Sequence, residues 1–265
     1  LTDADENVAL GYAALGSDTL GSKSTAIGRG TLVSQNFTSA TDSYNVAVGY
    51  NAGNALTTAQ NNTLIGALAG DALTTGPHNV FVGKDAGGKV TEGEKNIIIG
   101  SQAGAELTGD GGDFNILAGY AAGNALTTGN SNIFIGHEAG DQHDTETNNL
   151  GIGRAALGGA IAGGEFNVSV GNYTLDAVTS GDSNVAMGYK AGSGTTTGGY
   201  NVFIGGSYAS FTGIGNTTGS NNIAIGTDAY DVADTENHNL AVGTAALGGP
   251  VAGGEYNVAI GNNSL

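Results

Sequence analysis

The histidines and carboxylates are the side chains that could bind a metal ion, and one short stretch gathers several of them. It contains two histidines and four acidic residues: His137, Glu138, Asp141, His143, Asp144 and Glu146. A divalent-metal site needs ligands that converge on one point and outer partners that orient them. Because the histidines fall at different places in the surrounding sequence pattern, a solvated acidic turn is the favoured interpretation.

A second candidate for metal binding is the acidic, glycine-rich segment 109–113. Asp110 and Asp113, with the neighbouring carbonyls, could offer oxygen ligands to Ca²⁺. The nonapeptide pattern of Ca²⁺-binding β-rolls is absent. We therefore predict no cofactor and no firm metal site, with Ca²⁺ at Asp110 and Asp113 as the open alternative.

Features that would indicate an enzyme are missing from the sequence. There is no cysteine, no Gly-x-x-x-x-Gly-Lys-Ser/Thr loop for a nucleotide, and no pair of acidic residues at a fixed place in the repeating pattern. The glycine clusters fall at predicted turns. We predict that the protein is not an enzyme.

The composition excludes several classes of binding partner. The 265 residues include 24 Asp and Glu against 7 Lys and Arg, for a formal charge of −17. Such a chain repels nucleic-acid phosphates and anionic membrane surfaces. No apolar run of 18 residues and no export signal occur, so we expect no membrane insertion in this segment.

One short motif, Asn-Val-Ala-Val-Gly at positions 45–49, recurs along the whole chain. Fifteen copies are spaced 17 residues apart in nine of fourteen intervals, and they begin at Asn7, Ser24, Asn45, Asn62, Asn79, Asn96, Asn115, Asn132, Asn149, Asn167, Asn184, Asn201, Asn222, Asn239 and Asn257. A short fixed period with an apolar centre is typical of a solenoid. We predict an all-β, parallel β-solenoid of about 15 coils with a 17-residue base period, as one domain spanning 1–265.

Alternation along a strand predicts which motif residues face the core. The residues one and three after the Asn, such as Val46 and Val48, are nearly all β-branched or aliphatic, so we expect them to face inward. The residue between them would then face outward, yet it is apolar in thirteen of fifteen copies. An outward apolar stripe needs a partner, and another copy of the chain is the simplest one. The predicted trimer-interface residues are Phe81, Ile98, Leu117, Phe134 and Phe203.

Other positions of the motif predict how a coil closes. Glycine stands four residues after the first position in all fifteen copies, which indicates a positive φ or a close backbone approach. The Asn residues should stack and pass hydrogen bonds from coil to coil. Alanine at seven residues and Leu or Val at eleven residues after the Asn should point inward.

A row of threonines suggests a further alternative function. Thr57, Thr74, Thr91, Thr108 and Thr127 recur at the coil period and should lie on one face. Flat threonine arrays can order water, so an ice-binding solenoid is an alternative. Threonine also suits exposed strand positions without any such role.

Insertions are the predicted places for specific recognition, because a periodic wall repeats while loops on a rigid scaffold differ. Extra residues fall in 33–44, 109–113 and 207–221. The last insertion carries Tyr208 and Phe211 among Gly, Ser, Thr and Asn, a composition suited to a glycan or protein ligand. Tyr208 also stands at the place of the inward alanine, so it could instead plug a widened coil.

The Asn-x-Ala-Ile/Val-Gly-x-x-Ala unit at 45–52 and 222–229, and at 184–191 with Met187 at the fourth position, resembles the head repeats of YadA-like trimeric autotransporter adhesins, and also repeats of phage tail fibres. The resemblance implies a left-handed β-roll, a side-by-side homotrimer, and adhesion to a host surface protein or glycan. It further implies an extracellular place on a cell surface or virion fibre, in a chain of which this is a fragment. The coil is longer than the usual head repeat, and no neck, stalk or anchor follows. A self-polymerising, end-to-end filament is the alternative.

Overall fold

The structure is a computed structural model, and it describes residues 4–108, 112–159, 163–208, 210–232, 235–249 and 253–264. All regular structure in these ranges is β-strand, and none of these residues forms a helix that could cross a membrane. The chain divides into two compact units, Leu1–Asn132 and Ile133–Leu265. A single domain spanning 1–265 stays a prediction.

The strands are short and evenly spaced in both units. The first unit contains β1 (Val8–Leu10), β2 (Gly21–Ser22), β3 (Thr25–Ile27), β4 (Thr41–Asp42), β5 (Val46–Val48), β6 (Thr63–Ile65), β7 (Val80–Val82), β8 (Ile97–Ile99) and β9 (Ile116–Ala118). The second unit contains β10 (Ile133–Ile135), β11 (Leu150–Ile152), β12 (Val168–Val170), β13 (Val185–Met187), β14 (Val202–Ile204), β15 (Ile223–Ile225), β16 (Leu240–Val242) and β17 (Val258–Ile260). Every three-residue strand begins one residue after the first position of a motif copy.

Within each unit the three-residue strands pair in parallel with the copy in the next coil. In the first unit Val46 pairs with Thr63 and Val48 with Ile65, and in the second Leu150 pairs with Val168. The register is therefore the register of the repeat. These pairings confirm the predicted all-β parallel β-solenoid with a period of about 17 residues, and the solenoid has about 14 turns where about 15 coils were predicted. The insertion 33–44 adds a small second sheet, in which β2 pairs with β4.

The predicted facing of the strands is wrong. The middle residue of every three-residue strand after β1 is buried, and the predicted interface residues Phe81, Ile98, Leu117, Phe134 and Phe203 are all fully buried within the single chain. Their neighbours at the first and third strand positions are partly or fully exposed. These five residues therefore belong to the interior and cannot form an interface between chains.

The buried asparagine explains why the facing is reversed. Asn62, for example, is fully buried, and alternation then places Thr63 outside, Leu64 inside and Ile65 outside. The residue before each first motif position, whatever its type, lies in the left-handed region, with φ of 50° at Tyr44 and 59° at Asn61. This turn directs the following asparagine inward. The β-branched residues at the outer positions suit the pleated surface without being buried.

The core is filled by complementary residues at two coil positions. A large middle residue goes with glycine six residues later, as for Phe81 with Gly87, where an added Cβ would lie 2.8 Å from the phenyl ring. In most other coils a small middle residue goes with a large one, as for Ala224 with the buried Tyr230, whereas Ala47 and Ala186 are each followed by glycine at that position. Two positions were correctly predicted as inward. The buried alanines are Ala52, Ala69, Ala86, Ala103, Ala122, Ala139, Ala156, Ala191, Ala229 and Ala246, and the buried Leu and Val residues are Leu56, Leu73, Val90, Leu107, Leu126 and Val178.

The asparagine ladder is confirmed. The backbone N–H of Asn79 donates to Oδ1 of Asn62 over 2.9 Å, and that of Asn96 donates to Oδ1 of Asn79 over the same distance. Most of the side-chain amides also donate to a backbone carbonyl, as Asn79 Nδ2 does to Gly93 O at 2.8 Å. Because these groups are buried, each coil supplies hydrogen bonds that the next coil requires.

The glycine that closes the strand meets both conditions predicted for it. Its φ lies between +124° and +145° in all fifteen copies. At Gly100 an added Cβ would lie 2.2 Å from the carbonyl oxygen of Gly119 in the next coil. The corner therefore excludes any side chain, which explains why the residue never varies.

Candidate binding surfaces

The outer face of the strands forms an extended apolar surface in each unit. We define the outer stripe of a unit as the first and third residues of its three-residue strands. Ile65 exposes 39 % and Ile99 43 % of its surface, and Met187 on the second unit exposes 49 %. Most residues of both stripes are Val, Ile or Leu. Successive strands lie about 4.8 Å apart, so these side chains form two adjacent columns.

The size of the outer stripes is that of a functional surface. From strand spacing and rise, the seven three-residue strands of the first unit offer about 340 Å² and the eight of the second about 380 Å². The largest apolar patch of a typical monomer covers about 300–600 Å² and is often functional. The sequence predicted an apolar outer stripe but assigned it to the wrong residues.

The insertion at 207–221 places its aromatic residues on the surface. Tyr208 is 88 % exposed, so the interpretation that it plugs the coil is wrong. Thr212 occupies the buried position, and its carbonyl accepts the N–H of Gly192 at 2.9 Å, as Ala69 O accepts that of Gly53. Residues 207, 208 and 210 therefore lie outside the coil, which resumes at Phe211.

Four aromatic rings on adjacent coils form what we call the aromatic platform: Tyr173, Tyr189, Tyr208 and Phe211. The ring centroid of Tyr189 lies 6.1 Å from that of Tyr173, 5.9 Å from that of Tyr208 and 6.0 Å from that of Phe211. Rings with a polar end suit contacts with a partly hydrated ligand. The sequence identified Tyr208 and Phe211 but missed Tyr173 and Tyr189, although their distances from the motif place them on neighbouring coils.

Cations border the platform without a carboxylate partner. Lys190 Nζ lies 5.3 Å from the ring centroid of Phe211, and the guanidinium carbon of Arg154 lies 5.4 Å from that of Tyr173. The other four lysines pair with carboxylates, as Lys84 does with Asp85 at 3.0 Å. In the described ranges, no carboxylate oxygen lies within 4.0 Å of Lys190 or Arg154.

Among the described residues, the structure separates the candidate metal ligands His137 and His143. His137 lies on the surface, with Nδ1 3.2 Å from Glu138 Oε2, while His143 is buried in the core. Asp113 Oδ1 accepts the N–H of Glu94 at 2.8 Å, and Asp110 lies outside the described residues. Where the chain is described, no group of three or more His, Asp or Glu side chains could hold a metal ion.

His143 replaces the buried leucine or valine of other coils. Its ring centroid lies 4.7 Å from that of Phe134, and within the described ranges neither ring nitrogen has a hydrogen-bond partner. Burial lowers the pKa of His143 to about 3. A neutral imidazole in an apolar core is a group that becomes unfavourable on protonation.

The threonine row is part of the wall. Thr57 Oγ1 donates to Thr74 O at 3.1 Å, Thr74 Oγ1 to Thr91 O at 2.8 Å and Thr108 Oγ1 to Thr127 O at 3.1 Å. These hydroxyl protons connect successive coils. They are therefore not available to a water layer, which weakens the argument for ice binding.

No protein-family model, curated protein or solved structure matches the chain.

Proposed function

We propose that this protein is a non-enzymatic, extracellular adhesion or fibre protein that assembles side by side as a homotrimer. The observation that carries the proposal is the outer stripe of each unit, a row of exposed aliphatic residues supported by a regular sheet. A copy of the same chain offers a surface of the same length, spacing and polarity. The resemblance to YadA-like heads and phage fibres supports the trimer and the extracellular location.

The energetics favour burial of the stripes. Stable interfaces bury about 800 Å² on each partner, and the stripe of each unit supplies nearly half of this area. At about 25 cal/mol per Å² of apolar surface, removing the stripes from water stabilises the assembly by more than the entropic cost of ordering their short side chains. The strongly negative charge of the chain lies outside the stripes, since their residues carry no charge.

Recognition is the proposed role of the aromatic platform. Tyr208 stands clear of the wall, and Tyr189 and Phe211 lie beside it on the coil scaffold. Rigid aromatic side chains give contact area at a low entropic cost. The proposed ligand is a glycan or a surface protein of a host.

The test of assembly is a pair of charge substitutions in the stripe. Ile65→Asp with Ile99→Asp places two charges on the apolar face of the first unit, and Thr58→Asp with Thr75→Asp places the same charges on exposed positions elsewhere. Sedimentation equilibrium at micromolar concentration should give a trimer for the wild type and the threonine variant. The isoleucine variant should be monomeric while retaining the circular dichroism of the folded chain.

Three results would contradict the proposal of a trimer. A monomeric wild type would show that the stripe is not covered by another copy. An isoleucine variant that stays trimeric would place the interface elsewhere. Fibres of unlimited length in electron micrographs of the wild type would support the alternative of an end-to-end filament.

A further inference from the structure

Arg29 lies between two tyrosine rings in the first unit. Its guanidinium carbon is 5.7 Å from the ring centroid of Tyr12 and 5.6 Å from that of Tyr50. These three residues each stand five positions after the start of a motif copy, so they stack along one column of the wall. Together with Asn51 and Asn54 they line a cleft of about 290 Å³.

The guanidinium has no negative partner in the part of the chain that the structure describes. No carboxylate oxygen there lies within 4.0 Å of it, in a protein with a formal charge of −17. Nη1 donates to the hydroxyl of Tyr50 at 3.3 Å, and a guanidinium has five N–H donors in all. Two parallel N–H donors match the two oxygens of a carboxylate.

The rest of the cleft combines apolar and polar groups. Tyr12 and Tyr50 are exposed, so a ligand can reach their rings. Asn54 Nδ2 donates to Gly30 O at 3.1 Å, which leaves the amide oxygen of Asn54 as an acceptor. Gly30 makes room for Asn51, because a Cβ on Gly30 would lie 2.3 Å from Asn51 Oδ1.

We propose that this cleft binds a saccharide that carries a carboxylate. The carboxylate accepts two hydrogen bonds from Arg29, the C–H face of the sugar ring packs on Tyr12 or Tyr50, and the amides of Asn51 and Asn54 bind its hydroxyl groups. The volume of the cleft is near the lower end of small-molecule sites, about 300 Å³, and suits one sugar unit. The site lies in the first unit and does not depend on the aromatic platform.

The test is a titration of the full chain with a trimer of galacturonic acid and, separately, with its methyl ester. Binding is measured by NMR or calorimetry. The wild type should bind the acid at least about tenfold more tightly than the ester, because the ester cannot form hydrogen bonds through a charged carboxylate. Arg29→Gln should weaken binding of the acid by a similar factor. Arg29→Lys should also weaken it, because a lysine lacks the paired donors.

Lys84→Gln is the matched control. Lys84 stands at the same coil position of the first unit as Arg29 but is paired with Asp85. This variant removes the same charge and should bind the acid within twofold of the wild type. Melting temperatures of all variants are measured first, so that a loss of binding is not a loss of folding.

Four results would overturn the inference. The first is that the wild type shows no binding of the acid at concentrations up to about 10 mM, since a specific site would have a lower dissociation constant. It would bind the acid and the ester equally. Arg29→Gln or Arg29→Lys would bind the acid as the wild type does. Lys84→Gln would lose binding as Arg29→Gln does, which would indicate attraction by general charge.

Discussion

The substitution Gly100→Ala tests how the coils are stacked. Gly100 has a φ of +138°, and an added Cβ would lie 2.2 Å from the carbonyl oxygen of Gly119. That carbonyl belongs to the next coil, whose strand is held in register by backbone hydrogen bonds. The methyl group therefore requires both a strained backbone at Gly100 and a movement of the neighbouring coil.

The expected loss of stability follows from these two terms. A residue with a side chain in a conformation suited to glycine costs on the order of 1–3 kcal/mol. Relieving the contact moves a strand by about 1 Å and weakens its hydrogen bonds, each of which contributes about 1 kcal/mol. With one hydrogen bond lost, the sum is about 2–4 kcal/mol. For a unit of this size a loss of 1 kcal/mol lowers the melting temperature by about 4 °C, so we expect a fall of about 8–16 °C.

Gly88→Ala is the matched control, only twelve residues away in the chain. An added Cβ at Gly88 would lie 3.5 Å from the carbonyl oxygen of Asp85, an ordinary contact, and Gly88 has no positive φ. Differential scanning calorimetry of both variants should show little change for Gly88→Ala, because alanine also restricts the unfolded chain. Equal losses in the two variants would refute the explanation of the glycine corner.

Two further predictions concern the core and the loop of the second unit. His143→Leu should make the stability of the protein less sensitive to acid. The pKa of His143 is about 3 in the folded chain and 6.5 ordinarily, so the unfolded chain binds the proton first. The wild type therefore loses stability as the pH drops below about 6.5. At pH 4.5 the protonation of His143 lowers the free energy of unfolding of the wild type by about 2–3 kcal/mol. If the melting temperatures of wild type and variant fell equally between pH 7 and pH 4.5, the prediction would be wrong. Excision of residues 207–210 should leave the melting temperature almost unchanged, because the coil already bypasses them, but should abolish glycan or cell binding measured on an array or on cells. Unchanged binding would exclude this loop as the recognition site.

The sequence by itself determined the period and thereby the architecture. A motif that returns every 17 residues with a glycine that never varies permits one regular solution, in which equivalent residues stack. The buried alanine and leucine positions follow from the same repeat, as does the asparagine ladder. All of these depend on which residues are equivalent, and equivalence is visible in the sequence.

The direction in which the strand side chains point could not be predicted in the same way. Valine and isoleucine were expected inside, but their β-branched shape suits an exposed pleat as well as a buried one. A signal that could have corrected this is the size complementarity between the middle residue and the residue six places later, as in Phe81 with Gly87 and Ala224 with Tyr230. Two positions that share a fixed volume must both be inside.

Only the tertiary structure decided which side chains meet across coils and where an insertion leaves the wall. Tyr208 could have filled the core or left it, and the hydrogen bond from Gly192 to Thr212 shows that the coil resumes after the extra residues. Likewise, Arg29 and Tyr50 are 21 residues apart in the chain, and they are neighbours because the insertion between them leaves the alignment of successive coils unchanged. The physical reason is that a repeat fixes the backbone of an average coil, whereas contacts of unique residues depend on the local path of the chain.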